Sequence, residues 1–143
     1  MASLDELRGK AVYLDTNIFI YTVEGYEPER AFIEALSDAI DLHELVAVTS
    51  ELTLAELLVK PLELGRADVV AIYTELVQHS DRLTVPPVDR ATLIEAARLR
   101  AILGILLPDA IHVATAVMAG CEAFLTNDRR LKVPDGIALV CLA

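Results

Sequence analysis

The sequence predicts an α/β fold in which helices cover both faces of a mostly parallel sheet of about four to five strands. Short apolar segments alternate along the chain with longer segments of helical periodicity. Strands separated by helices need crossover connections, which favours parallel pairing. Hydrophobic residues make up 55% of the chain but aromatic residues only 5%, with no Trp. An aliphatic core of this kind is typical of buried parallel strands.

The N-terminal region predicts a strand and two helices. Residues 11–15 are apolar up to Asp15 and run into Thr16 and Asn17, which predicts a buried strand followed by a capped turn and a helix. Pro28 is predicted as the first residue of an amphipathic helix that continues to Ile40.

The next unit repeats this order. Residues 45–48 predict a strand, and Thr49 and Ser50 are candidate N-caps for a helix that stops near Pro61. A further helix is predicted over residues 67–77.

The second half of the chain predicts three more strands and two more helices. The strands are predicted at residues 83–85, 123–125 and 138–142. The helices are predicted at residues 91–103 and 108–118, separated by a glycine. Residues 1–143 are within the size of one domain, which is the predicted organisation.

The sequence contains neither a membrane-spanning segment nor a secretory signal. Apolar stretches are interrupted before they reach membrane-spanning length. The charged N-terminal residues do not resemble a secretory signal, so a cytoplasmic location is expected.

Cys121 and Cys141 lack the spacing of a zinc site and are predicted to be buried thiols.

The net charge of −10 counts against nonspecific binding of nucleic acid, because the chain repels a polyanion wherever its charge is not neutralised. Clustered carboxylates, however, are what a hard cation requires. Acidic residues outside such a cluster are able to attract a basic partner.

Four acidic residues are the candidate functional residues. Asp15 ends the first predicted strand, and Asp128 follows the fourth. Glu56 lies in the helix after the second strand, and Asp109 stands in the first turn of a helix rich in Ala, Ile and Val. Ligands of parallel sheets bind beyond the carboxyl ends of the strands, so these four carboxylates are expected to meet at that edge.

Oxygen ligands of this kind favour Mg²⁺ or Mn²⁺ over zinc. His43, His79 and His112 do not have the spacing of zinc ligands. His112 is one helical turn from Asp109 and is interpreted as a partly buried structural histidine. Arg129, Arg130 and Lys132 form a basic cluster that contacts phosphate or is simply solvated.

Each acid also has a structural interpretation. Asp15 is a possible N-cap, Asp109 complements a helix dipole, Glu56 is a possible solvated acid, and Asp128 is a possible turn former. Together, the four acids support the metal hypothesis more strongly than any one of them does.

Four segments carry a resemblance to a known family. They are residues 13–21 (YLDTNIFIY), 53–57 (TLAEL), 107–116 (LPDAIHVATA) and 124–128 (FLTND). In this order they resemble the PIN-domain family, and within it the VapC-like toxin ribonucleases of toxin–antitoxin modules. The resemblance covers nearly the whole chain.

The resemblance implies a PIN-like three-layer sandwich and Mg²⁺- or Mn²⁺-dependent cleavage of single-stranded RNA. The family's four catalytic acidic positions then fall on Asp15, Glu56, Asp109 and Asp128. Asn17, Thr126 and Asn127 become polar supports of the site. The resemblance also implies a homodimer and an antitoxin protein that covers the acidic pocket.

In the mechanism that we derive from these residues, Asp15, Asp109 and Asp128 bind metal, and Glu56 positions the attacking water or a second ion. Arg129 and Arg130 are the candidate RNA contacts. The residues alone do not distinguish RNA from DNA as the substrate.

Three other classes of protein fit the sequence less well than a nuclease does. A receiver-like signalling domain needs an Asp after its third strand, where this chain has Pro86 and Pro87. A haloacid-dehalogenase-like phosphatase needs a second Asp at position 17, which is Asn. A PIN-like binding module without catalysis is disfavoured by the complete acidic set.

Overall fold

The computed structural model describes residues 2–78 and 81–142, so His79 lies outside the described residues. The strands of the described part are β1 (Ala11–Leu14), β2 (Val46–Val48), β3 (Leu83–Thr84), β4 (Ala123–Thr126) and β5 (Ala138–Cys141). Its α-helices are α1 (Thr16–Glu24), α2 (Arg30–Asp41), α3 (Glu51–Glu63), α4 (Ala67–Gln78), α5 (Arg90–Leu103) and α6 (Leu107–Met118). Two short 3-10 helices, Leu4–Glu6 and Glu27–Glu29, precede β1 and α2.

The strands form one sheet in the order β3-β2-β1-β4-β5, and every neighbouring pair is parallel. The predicted α/β class with a parallel sheet of four to five strands is therefore confirmed. This order differs from the 2-1-3-4-5 order of flavodoxin-like domains, which include receivers. The receiver-like alternative is thus inconsistent with the sheet.

Alternate residues of β1, β2, β4 and β5 face two separate cores, because side chains of a strand point to opposite sides of the sheet. Val12 and Leu14 of β1 pack with apolar residues of α1, α2, α3 and α4. Tyr13 of the same strand packs with residues of α5 and α6. Helices therefore cover both faces, as the sequence predicts.

Two helix boundaries differ from the prediction by more than one residue. α3 does not stop at Pro61 but continues through it to Glu63. A proline removes one helical hydrogen bond, and here the later amides of Leu64 and Arg66 still bond to the carbonyls of Lys60 and Pro61. Pro28 belongs to the 3-10 turn before α2.

One of the two cysteines is less buried than predicted. Cys121 is buried, but Cys141 is only half-buried because it ends the edge strand β5. Both thiols are free.

Among the described residues, no single helix is long and apolar enough to cross a membrane. Only α5 and α6 taken together, bent by 115° at their junction, satisfy the length and composition of a span.

Candidate functional site

The central strands β1 and β4 bring Asp15 and Asp128 to one edge of the sheet. Leu14 pairs with Leu125 at the ends of these strands, and the amide of Asp15 donates to the Leu125 carbonyl at 3.0 Å. Asp15 is the N-cap of α1, where its Oδ1 accepts from the amide of Thr16 at 2.8 Å. The N-cap interpretation of Asp15 is therefore correct, and it is compatible with a second role for Oδ2.

The hydroxyl of Thr126 joins the ends of the two strands. It is fully buried and donates to Asp15 Oδ2 at 2.6 Å. It accepts from the amide of Asp128 at 3.0 Å and from Asn17 Nδ2 at 3.4 Å. Asn17 Oδ1 in turn accepts from the amide of Asn127 at 3.2 Å. Thr126, Asn17 and Asn127 thus form one polar support between β1 and β4.

Asn127 extends this support to an aromatic pair. Its Nδ2 donates to the hydroxyl of Tyr21 at 2.7 Å, and the ring of Tyr21 stacks on Tyr26 with centroids 4.3 Å apart. The loop after β4 is therefore tied to α1 by side chains as well as by the sheet.

Glu56 reaches the site from α3, whose N-cap Ser50 lies two residues after the end of β2. Its Oε1 accepts from Thr16 Oγ1 at 2.8 Å and from His112 Nε2 at 2.5 Å. Partial burial alone raises the pKa of Glu56, but the hydrogen bonds from His112 and Thr16 outweigh it and hold the pKa below its ordinary value. Glu56 is thus ionised at neutral pH, although its helix is otherwise largely apolar.

Asp109 is half-buried in the first turn of α6. Burial is the main reason that its pKa is raised, and the carboxylate of Asp15 adds to that effect. His112 acts in the opposite direction, while Asp128 and Glu56 raise the pKa further. The charges of the other three acids therefore act on Asp109, and two of those acids, Asp15 and Asp128, are linked through Thr126 at the ends of β1 and β4.

The donor set consists of carboxylate and hydroxyl oxygens, which suits Mg²⁺ or Mn²⁺. No group of three or more His, Cys, Asp or Glu side chains in residues 2–78 and 81–142 is arranged to enclose an ion. Mg²⁺ commonly keeps several waters and uses only one or two carboxylates, so a complete protein cage is not required. Burial and then the neighbouring carboxylates raise the pKa of Asp109, and a cation relieves the repulsion between these carboxylates.

The predicted basic cluster follows Asp128 along the chain. Arg129, Arg130 and Lys132 are all exposed. Arg130 Nε lies 3.6 Å from Asp128 Oδ1, and the amide of Arg130 donates to the same oxygen at 2.9 Å. Asp128 is thus a turn former as well as a member of the acidic group.

Sequence reasoning missed three contacts of Glu56 and its surroundings. His112 is buried as a structural histidine, yet it also touches Glu56 directly. Tyr13 contacts the other ring nitrogen of His112 at 2.5 Å, and Thr16 donates to Glu56. The position of His112 one turn after Asp109 was the available signal, but it does not show that α3 packs against α6.

Comparison with protein families gives one match. A family model described as the PIN domain matches residues 12–137, which is most of the chain. No curated protein sequence matches.

Solved structures of similar fold come from toxin–antitoxin complexes and toxins. A DNA-bound VapBC complex from Salmonella typhimurium contains a chain of 23% identity and TM-score 0.71, with 94% of this chain and 99% of that chain covered. A toxin–antitoxin complex from Klebsiella pneumoniae gives 19% identity and TM-score 0.64, with coverage of 89% and 95%. VapC20 of Mycobacterium tuberculosis, described as a sarcin–ricin loop cleaving toxin, gives 14% identity and TM-score 0.64, with coverage of 79% and 86%. At these identities, the similarity shows a common fold.

Proposed function

This chain belongs to the PIN-domain family, and on that premise we propose that it is a metal-dependent endoribonuclease that cleaves single-stranded RNA as the toxin of a toxin–antitoxin pair. The family is typically one of nucleases, whereas the activity, substrate and partner of this chain are the proposal.

The observation that carries the proposal is the placement of acidic residues where the central strands end. The hydroxyl of Thr126 donates to the carboxylate of Asp15 and accepts from the amide of Asp128, and Glu56 accepts from Thr16, the residue after Asp15. Burial, followed by the neighbouring carboxylates, also raises the pKa of Asp109. An arrangement that forces acids together costs stability unless a cation or a proton compensates it. Such a cost is expected at a site whose task is to hold a cation.

In the proposed mechanism, Asp15, Asp109 and Asp128 would hold Mg²⁺ or Mn²⁺, and the ion would supply a water of lowered pKa and positive charge next to the scissile phosphate. Glu56 orients the attacking water and accepts its proton, which its ionised state allows. As the water oxygen bonds to phosphorus, the P–O bond to the leaving sugar oxygen breaks, and that oxygen takes a proton from solvent. Thr126 fixes Asp15 through Oδ2 so that this carboxylate keeps one orientation.

Approach of RNA to a chain of net charge −10 requires local compensation. The exposed side chains of Arg129 and Arg130 follow Asp128 directly and supply positive charge there. We assign them to contacts with phosphates on either side of the scissile bond. RNA rather than DNA is proposed because VapC20, which shares the fold, is described as cleaving the sarcin–ricin loop.

An antitoxin protein and a second copy of the chain are the proposed partners. Similar chains occur in complexes described as toxin–antitoxin complexes. Several large apolar side chains of α5, α6 and their junction are exposed, which is common at protein interfaces: Ile94, Ile102, Leu106, Leu107 and Met118. A cytoplasmic location, where RNA is available, belongs to the same proposal.

The test is cleavage of a mixed set of labelled single-stranded RNAs in Mg²⁺ or Mn²⁺ and in EDTA. Wild type is compared with Asp15→Asn and with Asp38→Asn, which removes an exposed carboxylate of α2 outside the acidic group. We expect metal-dependent cleavage by wild type and Asp38→Asn, and a loss of cleavage in Asp15→Asn.

Equal cleavage by all three proteins would reveal a contaminating ribonuclease or a mechanism that does not use Asp15. Absence of cleavage by wild type on every RNA would instead favour the PIN-like binding module. A parallel assay on single-stranded DNA separates the two nucleic acids as substrates.

A further inference from the structure

A group of buried polar side chains lies behind Glu56. Tyr13, Thr49, Thr53 and His112 have exposed fractions of 0%, 0%, 0% and 3%. Buried polar groups are costly unless they are hydrogen-bonded, and no buried side-chain nitrogen or oxygen of the described residues lacks a partner. These side chains therefore form a satisfied network inside an aliphatic core.

Within this network, His112 bridges β1 and α3. Its Nδ1 lies 2.5 Å from the hydroxyl of Tyr13, and its Nε2 lies 2.5 Å from Oε1 of Glu56. The ring also packs edge-on against Tyr13, with centroids 5.8 Å apart. Both nitrogens are thus occupied, one by a phenol and the other by a carboxylate.

The partners determine which nitrogen carries the proton. A carboxylate only accepts hydrogen bonds, and a neutral imidazole has one donor and one acceptor nitrogen. Nε2 must therefore carry hydrogen and donate to Glu56. In the neutral ring, Nδ1 is then the acceptor, and the hydroxyl of Tyr13 donates to it. Burial raises the pKa of Tyr13, so this hydroxyl keeps its proton.

The two oxygens of Glu56 are used differently. Oε1 receives both Nε2–H of His112 and the hydroxyl of Thr16. Donors from two different elements therefore converge on one oxygen, which restrains the rotation of the carboxylate. Oε2 is the oxygen that remains for a reacting water.

We propose that His112, held in its Nε2–H form by Tyr13, is a positioning residue that fixes Glu56 so that Oε2 alone serves the reaction. The inference rests on the proposed nuclease function and extends it to two residues outside the acidic group. The rival explanation is that His112 only fills and satisfies the core, in which case its effect is on stability alone.

Two substitutions of His112 separate these explanations. In His112→Gln the side-chain amide extends to the position of Nε2, so a donor to Glu56 remains. In His112→Asn the shorter amide replaces Nδ1 and the donor to Glu56 is lost. We expect kcat to fall by roughly 10- to 100-fold in His112→Asn, as for other residues that orient a catalytic ligand, and to recover substantially in His112→Gln.

KM should change little in either variant, because neither substitution removes a proposed RNA contact. A purely structural role predicts instead that kcat follows the folded fraction in both variants. Equal kcat of folded His112→Asn and wild type would overturn the proposal. So would a folded His112→Gln as slow as His112→Asn.

A second buried tyrosine provides a matched control for the loss of a phenol hydroxyl. Tyr13→Phe removes the hydroxyl that contacts His112. Tyr73→Phe removes a buried hydroxyl that hydrogen-bonds to Glu24 and does not contact His112. We expect a lower kcat for Tyr13→Phe only. A similar decrease in both would indicate a general effect of losing a buried hydroxyl and would contradict the positioning role.

The protonation state of the ring gives a readout that needs no cleavage. In protein with ¹⁵N-labelled histidine, long-range ¹H–¹⁵N correlation spectra distinguish Nε2–H, Nδ1–H and doubly protonated rings. We expect the Nε2–H ring in wild type, because Nε2 contacts the Glu56 carboxylate and Nδ1 contacts the Tyr13 hydroxyl, and we expect a mixture of ring forms in Tyr13→Phe. An Nδ1–H or a doubly protonated ring in wild type would overturn the proposal even if RNA is cleaved.

The same spectra distinguish failure of the inference from failure of the nuclease function. If wild type cuts no RNA but His112 is Nε2–H and responds to Tyr13→Phe, the nuclease function fails and the positioning of Glu56 is supported. If RNA is cut and the ring state is unaffected by Tyr13→Phe, the nuclease stands and the positioning inference fails.

Discussion

Thr126 donates its hydroxyl to Oδ2 of Asp15 at 2.6 Å and so connects the carboxyl ends of two neighbouring strands. The Thr126 hydroxyl oxygen itself accepts from the backbone amide of Asp128 at 3.0 Å. One buried hydroxyl thus organises two of the four acids.

Thr126→Val keeps the shape of this side chain but removes the hydroxyl. The groups left without a partner are expected to lower the free energy of unfolding by about 1–3 kcal/mol. Cleavage should fall as well, because Asp15 loses the donor that orients it. Thr126→Ser restores the hydroxyl and should recover most of both properties. Denaturant unfolding and RNA cleavage measure them, and unchanged values in Thr126→Val would show that the hydroxyl is dispensable.

Asp109 should destabilise the metal-free protein at neutral pH. Its folded-state pKa is raised, so the stability that its protonated form provides is complete below the ordinary value of 3.8 and is lost as pH rises through the folded-state pKa. Asp109→Asn cannot ionise and should therefore be more stable than wild type at pH 7 in EDTA. This advantage should disappear below about pH 3.8.

Metal should make wild type more stable than Asp109→Asn, which is the reverse of the order expected in EDTA. An ion that binds only the folded state stabilises by about 2.7 kcal/mol at a concentration of 100 times its Kd. Wild type should gain more from Mg²⁺ or Mn²⁺ than Asp109→Asn, while Asp38→Asn should gain as much as wild type. Melting temperatures with and without metal test this, and an equal gain in Asp109→Asn would exclude Asp109 as a ligand.

Glu56→Gln tests a lowered pKa, in contrast to the raised pKa of Asp109. The folded-state pKa of Glu56 is lowered, so its ionised form contributes stability above the ordinary value of 4.5, and this contribution is lost as pH falls through the folded-state pKa. Glu56→Gln should thus be less stable than wild type at pH 7, and the difference should shrink below about pH 4.5.

The same variant should lower kcat by about 10²- to 10⁴-fold if Glu56 is the general base. Glu75→Gln, which neutralises an exposed acid of α4, is the control and should resemble wild type. A stability difference that is independent of pH would contradict the hydrogen-bonded, ionised state of Glu56.

The sequence was sufficient to predict the edge at which the acids meet. Asp15 follows one apolar strand directly, Asp128 lies two residues after the end of another, and parallel strands end at the same edge. Asp109 and Glu56 were found by their apolar surroundings within helices. These signals are local, so they can be read without knowledge of the packing.

The contact between His112 and Glu56 could not be predicted in the same way. The two residues are 56 positions apart and lie on different helices, so their distance depends on how α3 and α6 pack. The length of α3 was also underestimated, because the effect of Pro61 depends on whether later amides find partners. Cys141 was predicted to be buried since periodicity does not reveal that β5 is an edge strand.

The different burial of the two cysteines predicts different reactivity. Burial raises the pKa of Cys121 to about 11 and raises that of Cys141 as well. Because the thiolate is the reactive form, both should react slowly with a disulfide reagent at pH 7, and Cys141 should react faster because it is half-buried. Single Cys→Ser variants assign the two rates, and denaturant should make them equal. A faster reaction at Cys121 would contradict its burial.

Arg129 and Arg130 are predicted to contact phosphates of the RNA, and salt dependence tests such contacts. For single-stranded nucleic acid, each lost phosphate contact should reduce the slope of log affinity against log salt by about 0.7. Arg129→Ala should therefore weaken RNA binding at low salt and flatten its salt dependence. Arg130→Ala should do the same, although it also removes the cation 3.6 Å from Asp128.

Arg98→Ala is the matched control, because Arg98 is an exposed arginine of α5 that pairs with Glu95 at 2.5 Å. Its salt slope should equal that of wild type. Binding is measured with Asp15→Asn protein so that RNA is not consumed, in the presence of Mg²⁺. If Arg129→Ala, Arg130→Ala and Arg98→Ala share the wild-type slope, the basic residues after β4 are solvated side chains and the RNA path lies on another side of the acidic group.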